Sequence, residues 1–356
     1  MQIKRVEVTP MTLRLRRPYR SACYADTPLK EIGAVFVRME TQRTGVAWGC
    51  TAFDPTITGE TLDDVTATCE ACADRALDLS PLNTEYALSE LEPLTASSPS
   101  AQCAFEIAFY DLLGLASGLP LHRLLGGYRD RIQTSITVGL ASVQETVEMA
   151  IDRARHGFRI LKIKGGLDPL DDVRRVHAVC DALPHTTIRL DADGGYTVED
   201  ALAVAHALKG RLEMLEQPVS PQAGFAALRQ VTEQSPIPVL ADQSVVGAAS
   251  ALEISSLRAA DAISVKLATC GGIRNARQIN AIARAAKLVT MVGCVHEPAL
   301  LIAAELAVAL SSPTVEYGDL DGHIDLQQDP TIPCFVIRDG YLIASESPGL
   351  GCSVDL

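Results

Sequence analysis

The chain has 356 residues, 47% of them hydrophobic and 21% charged, with a net charge of −13. No basic cluster interrupts that acidic balance, which argues against nucleic acid or an anionic membrane as partner. No apolar run reaches the ~20 residues that span a bilayer, and the opening MQIKRVEVTP alternates like a strand rather than a secretory leader; a cytoplasmic protein is expected.

The length exceeds a usual single core, so one large domain with a smaller companion is expected. Residues 1–125 read as a capping domain of the α+β type. Strand patterns come first (IKRVEVTPMTLRL, EIGAVFVRMET, TGVAWGC), and helical patterns follow around 60–77 and 100–117. Cys69 and Cys72 form a lone C-x-x-C inside the first helical pattern. No second pair or histidine cluster accompanies it, and ordinary helix packing accounts for it better than a metal or redox role.

From residue 126 to 325 the pattern changes to a regular alternation. The short β-branched or apolar runs are QTSITVG, RILKIK, TIRLD, LEMLE, IPVLAD, AISVK, LVTMVG and, more weakly, TVEYGDLD. Helical patterns with start and stop signals separate them. Ser142 and Glu145 make a capping box with Gly157 as the stop, and Thr197 with Asp200 opens the next but one. Strands alternating with single helices imply parallel βαβ units, and eight of them imply a closed (β/α)-barrel, an α/β fold. The rival, an open doubly wound sheet, lacks its phosphate loop, because ITVGLAS does not fit G-x-G-x-x-G. Residues 326–356 carry an Asp-Gly hairpin signal and are expected to return to the cap.

In such a barrel, catalytic groups sit where strands end. The last residues of five successive strands are Lys164, Asp191, Glu216, Asp242 and Lys266, spaced by 27, 25, 26 and 24 residues. Three acids on adjacent strands converge and repel, and a hard cation resolves the repulsion. All-oxygen ligation favours Mg²⁺ over zinc. Lys162 and Lys164 share a strand face, since side chains alternate with period two. Lys266 approaches from the opposite side. Two amines facing each other across a held carboxylate describe 1,1-proton transfer at the α carbon, with a lowered lysine pKa as the expected means. The blander reading makes the acids helix caps and the lysines their partners.

The segments LKIKGG, LDADGGYT, LEQP, ADQS and KLATCGGI resemble the enolase superfamily, in its muconate lactonizing enzyme-like subgroup, over essentially the whole chain. The resemblance implies a modified TIM barrel of the enolase type. It implies one Mg²⁺ held by Asp191, Glu216 and Asp242, bases Lys164 and Lys266, and Lys162 on the substrate carboxylate. ITGET (57–61) and the D-L-D at Asp319 and Asp321 further resemble dipeptide epimerases, in which the two acids would meet the α-ammonium of a dipeptide. The resemblance also implies a homo-oligomer with a small-molecule substrate. Tyr24 stands where the Ala-Glu epimerases carry an arginine, and weakens an acidic substrate. Asp193 and Gln243 replace the usual Asn and Glu. His296, after the seventh strand, is expected to touch substrate or line the mouth rather than act as a base. The same bases could instead serve an acid dehydratase, an N-acylamino acid racemase or an o-succinylbenzoate synthase. A barrel retained for binding alone is disfavoured by the complete set of chemical groups.

Overall fold

The computed structural model describes residues 1–356. Strands β1 (Ile3–Tyr19), β2 (Leu29–Thr41) and β3 (Gly45–Ala52) form an antiparallel sheet in that order. Helices Leu62–Ala76 and Pro99–Ser117 pack on it, and Thr84–Thr95 packs against those two helices. The first starts where Thr61 accepts from Asp64 N, with Asp63 and Asp64 in its first turn, a favourable charge at the positive end of the helix. Its buried stripe is Val65, Cys69, Cys72 and Ala76, an i, i+4, i+7 face. The C-x-x-C therefore serves the core, and burial pushes the Cys72 thiol up to about 12. All ten cysteines are free.

After β4 (Arg131–Gln133) come β5 (Ile136–Val138), β6 (Ile160–Lys164), β7 (Thr187–Asp191), β8 (Met214–Glu216), β9 (Val239–Ala241), β10 (Ala262–Val265), β11 (Val289–Gly293) and β12 (Val315–Asp319). They form one sheet in chain order with every neighbouring pair parallel. A parallel bridge between Thr134 and Gly318 brings its two edges together, where Ser135 N donates to Gly318 O at 3.1 Å and Leu320 N to Thr134 Oγ1 at 2.7 Å. The eight runs expected from the sequence are the eight strands of this barrel. The Ser142–Glu145 capping box is present at the helix Val143–Arg155, and Thr197 caps Val198–Ala207.

Register decides which strand ends meet. Lys164 pairs with Asp191, and Asp191 with Glu216, so these three side chains stand side by side at one rim. Deeper in the barrel, the buried Arg189 guanidinium donates to Glu213 Oε2 at 2.6 Å, to Gly318 O at 3.2 Å and to Ser135 Oγ at 3.3 Å. Its charge is thus compensated, as burial requires.

The C-terminal segment touches the cap at its start, where Leu326 bridges Leu15 of β1 and Gln327 N donates to Arg14 O at 2.9 Å. Asp339 and Gly340, both at positive φ (52° and 75°), turn the hairpin of β14 (Val336–Arg338) and β15 (Tyr341–Ile343). That hairpin pairs with β4 at the entrance to the barrel, not with the cap sheet, because the free edge of β4 supplies the partners its backbone needs. The segment meets the cap again farther on, where Leu350 N donates to Asp111 Oδ1 of helix Pro99–Ser117 at 2.6 Å. A short pair, β13 (Thr331–Ile332) with β16 (Ser353–Val354), ends the chain. No helix is long and apolar enough to cross a membrane.

Candidate active site

Between the cap and the rim of the barrel lies a cavity of about 750 Å³. The barrel contributes Lys162, Lys164, Asp193, Gln243, Lys266, His296 and Asp321 to its wall, and the cap contributes Tyr19, Tyr24, Asp54, Thr56 and Ile57. Both lysines singled out as bases therefore face one space. They do so from β6 and from the residue after β10, four strands apart in a ring of eight. In a closed barrel those are opposite walls.

Each amine is held by carboxylates. Lys164 Nζ donates to Asp191 Oδ2 at 2.6 Å and to Asp193 Oδ1 at 2.8 Å, and Lys266 Nζ to Asp242 Oδ2 at 2.6 Å. Lys162 Nζ donates to Asp319 and lies 3.5 Å from Asp191 Oδ2 and 3.9 Å from Glu216 Oε1. Burial disfavours all three ammonium groups, but the facing carboxylates outweigh it and hold them above the ordinary lysine range. At Lys164 the upward pull comes first from Asp191 and then from Asp193.

Asp191, Glu216 and Asp242 are all buried near these amines. Burial and the charges of Asp191 and Asp242 lift Glu216 well above the carboxylate range. As placed, the three do not close around one point as a ready three-ligand cluster, since Lys164 draws Asp191 and Lys266 draws Asp242. The donor chemistry nevertheless fits a hard dication. The set is all oxygen, and both Glu216 oxygens are buried without a hydrogen-bond partner, an expense that an ion would relieve.

The two acids after β12 divide. Asp319 is fully buried and already engaged by Lys162 and by Ser135 Oγ at 2.5 Å. It is therefore not open to a ligand's ammonium, as its shared face with Asp321 had suggested. Asp321 does reach the cavity wall, and one of its oxygens accepts from Thr137 N at 2.6 Å. Tyr24 donates to Asp54 Oδ1 at 2.6 Å. His296 stacks edge-on against Tyr19 with ring centroids 4.5 Å apart. Burial pushes its pKa down to about 4, which leaves it neutral near pH 7.

Several residues escaped the sequence reading. Asp54 caps the short helix Pro55–Thr58, accepting from Thr56 N at 2.9 Å; the Asp-Pro pair before ITGET carried that signal. Within ITGET, Glu60 is buried against Ser98 and Ser100, which pins the loop that overhangs the cavity. Behind Lys164, the fully buried Arg175 donates to Lys164 O at 2.8 Å and pairs with Asp172. Nothing in the local sequence marks that link.

The comparisons with known proteins agree with this architecture. The family model described as Enolase C-terminal domain-like matches residues 145–356. A hydrophobic dipeptide epimerase from Enterococcus faecalis is 32% identical, over 99% of this chain and 100% of its own. An L-Lys-D/L-Arg epimerase from Desulforapulum autotrophicum is 33% identical, over 99% of both chains. The crystal structure of the dipeptide epimerase from Enterococcus faecalis, complexed with Mg and the dipeptide L-Leu-L-Tyr, superposes with a TM-score of 0.95 over 99% of this chain and 100% of the other. With cap, barrel and strand-end residues all accounted for, the chain belongs to the Enolase C-terminal domain-like family, within the enolase superfamily.

Proposed function

We propose that this protein is an isomerase that epimerises a dipeptide by 1,1-proton transfer at the carbon α to its carboxylate. The observation that carries the reading is the opposition of Lys164 and Lys266 across one cavity, with Lys162 in the same wall and three buried acids beside these amines. The dipeptide epimerases among its relatives, some solved with Mg and a dipeptide, support the same choice of substrate class.

In this reading one lysine removes the α proton from one face of the substrate, and the other returns a proton to the opposite face. Lys162 steadies the substrate carboxylate. Asp191, Glu216 and Asp242 would hold one Mg²⁺, whose charge favours the enediolate over the ground-state carboxylate. Asp321, on the cavity wall, receives the α-ammonium of the dipeptide in a charge-assisted contact. Tyr24 and His296 border the space left for its side chains. The cap shields the α carbon from bulk water, which strengthens each of these charge interactions.

A dipeptide library incubated with the protein and Mg²⁺ in D₂O, read by mass spectrometry, tests the reaction and the substrate together. Epimerisation adds one deuterium per exchanged α carbon and preserves composition. Loss of water from a hydroxylated acid, with no exchange into any dipeptide, would replace this reading with a dehydratase.

A further inference from the structure

Two buried glutamates lie behind Lys266 and take no part in the chemistry just described. Glu305 sits on the helix Ala299–Ala309, and Glu297 follows β11, the strand next to the one that leads into Lys266. Both are completely buried. Glu305 Oε1 accepts from Leu267 N at 3.2 Å, and Glu297 Oε2 from Val295 N at 3.2 Å. Their other oxygens, Glu305 Oε2 and Glu297 Oε1, are buried with no ordinary donor. The two side chains lie close enough to share a hydrogen bond, which a single proton between them would supply. Burial lifts both acids, Glu297 to about 8 and Glu305 well above its ordinary range, which favours a proton held between them.

The contact to Leu267 ties the pair to catalysis. Leu267 opens the short helix Leu267–Cys270, for which Lys266 stands in the N-cap position without capping it through its own side chain. A lysine whose amine must point into the cavity cannot also cap a helix, so the first N–H needs an acceptor from elsewhere. Glu305 supplies it from another helix, and Glu297 holds Glu305 in place through the shared proton. Lys266 O is fixed from the same helix by Cys270 N at 3.1 Å and Thr269 Oγ1 at 3.2 Å.

We infer that Glu305, held by Glu297, is a positioning residue for Lys266, setting the backbone from which that lysine reaches the substrate. The inference rests on the proposed two-base reaction, and that reaction offers a readout a merely structural role would not move. Each lysine serves one face of the α carbon, so α-proton exchange in D₂O can be followed separately from each epimer. Lys266→Ala identifies the epimer that depends on Lys266.

The variants are E305Q, which keeps an acceptor for Leu267 and a donor for Glu297; E305L, which removes the acceptor; and E297L/E305L, which leaves no buried acid unpaired. In the two apolar variants, exchange from the Lys266-dependent epimer is expected to fall about tenfold to a hundredfold, the cost of a misplaced catalytic group. Exchange from the other epimer should change less than about threefold, and E305Q should restore the balance. An equal fall for both epimers overturns the inference, as does an unchanged ratio in a folded apolar variant. Failure of both apolar variants to fold, read by circular dichroism, also overturns it by assigning the pair to stability alone. The two-base reading fails separately, if the unaltered protein exchanges neither epimer of any dipeptide.

Discussion

Gln243 Nε2 donates to Asp193 Oδ1 at 3.0 Å, and that same oxygen accepts from Lys164 Nζ at 2.8 Å. Asp193 and Gln243, read from the sequence as a pair of departures, thus touch each other. The resemblance implies Asn and Glu at these positions, and Asp with Gln keeps the total charge while exchanging donor and acceptor. Gln243→Glu alone would set two buried carboxylates against each other, and Asp193→Asn alone would take a charge from beside Lys164. Each single variant is expected to lose at least tenfold in kcat/KM. The double variant should recover most of it, with a coupling energy of about 1–2 kcal/mol. A double-mutant cycle on kcat/KM measures this, and additive losses would refute the pairing.

Metal dependence follows from Glu216, whose two oxygens are buried and unpartnered. Chelation with EDTA should abolish turnover, and Mg²⁺ should restore it. Ion binding only to the folded state also raises the melting temperature. Glu216→Gln removes a ligand and the buried charge together. It should lose both the activity and the Mg²⁺-induced rise in melting temperature while remaining folded without the ion. Calorimetric titration with Mg²⁺ checks the binding directly.

Gly293 ends β11 beneath the stem of Lys266. A Cβ built there would lie 2.9 Å from Ser264 Oγ and 3.4 Å from Lys266 Cε. Gly293→Ala therefore forces Ser264 to give way first and packs the new methyl against the lysine stem, with no change of charge. Small overpacking of this kind costs about 1–3 kcal/mol, and the catalytic loss should exceed what the stability loss accounts for. A fall in kcat of tenfold or more with KM changed less than threefold is expected, and unchanged kinetics would show that the stem has room.

The depressed pKa of His296, about 4, makes stability depend on pH. Between the ordinary histidine value near 6.5 and about 4, the unfolded chain takes up a proton that the folded chain refuses. Stability therefore falls as pH drops through that window. The ring is partly exposed to the cavity, which keeps its share to about 1–2 kcal/mol. His323 is depressed to about 4 as well, so it carries a similar share. His296→Gln should remove part of the loss, seen as a smaller drop in melting temperature between pH 7 and pH 4.5. An unaltered drop would mean that His296 titrates normally.

Much of this protein was legible along the chain because a (β/α)-barrel writes its order into the sequence. Each strand is a local run, each helix carries its own start and stop, and the ionisable residues at strand ends recur at nearly constant spacing. Lys164, Asp191, Glu216, Asp242 and Lys266 could be picked out on that ground alone. What required the tertiary structure was every relation made across the ring or between layers. Ser135 and Asp319 meet across a separation of 184 residues, and that contact, with Lys162, withdraws Asp319 from the cavity. The hairpin at Asp339–Gly340 was visible, but its partner β4 was not. Glu305 sits in an apolar helix with no sign that it faces Leu267. Local propensity and periodicity act over a few residues, whereas a hydrogen bond across the barrel depends on how all eight strands close. Only closure decides which buried charges become neighbours.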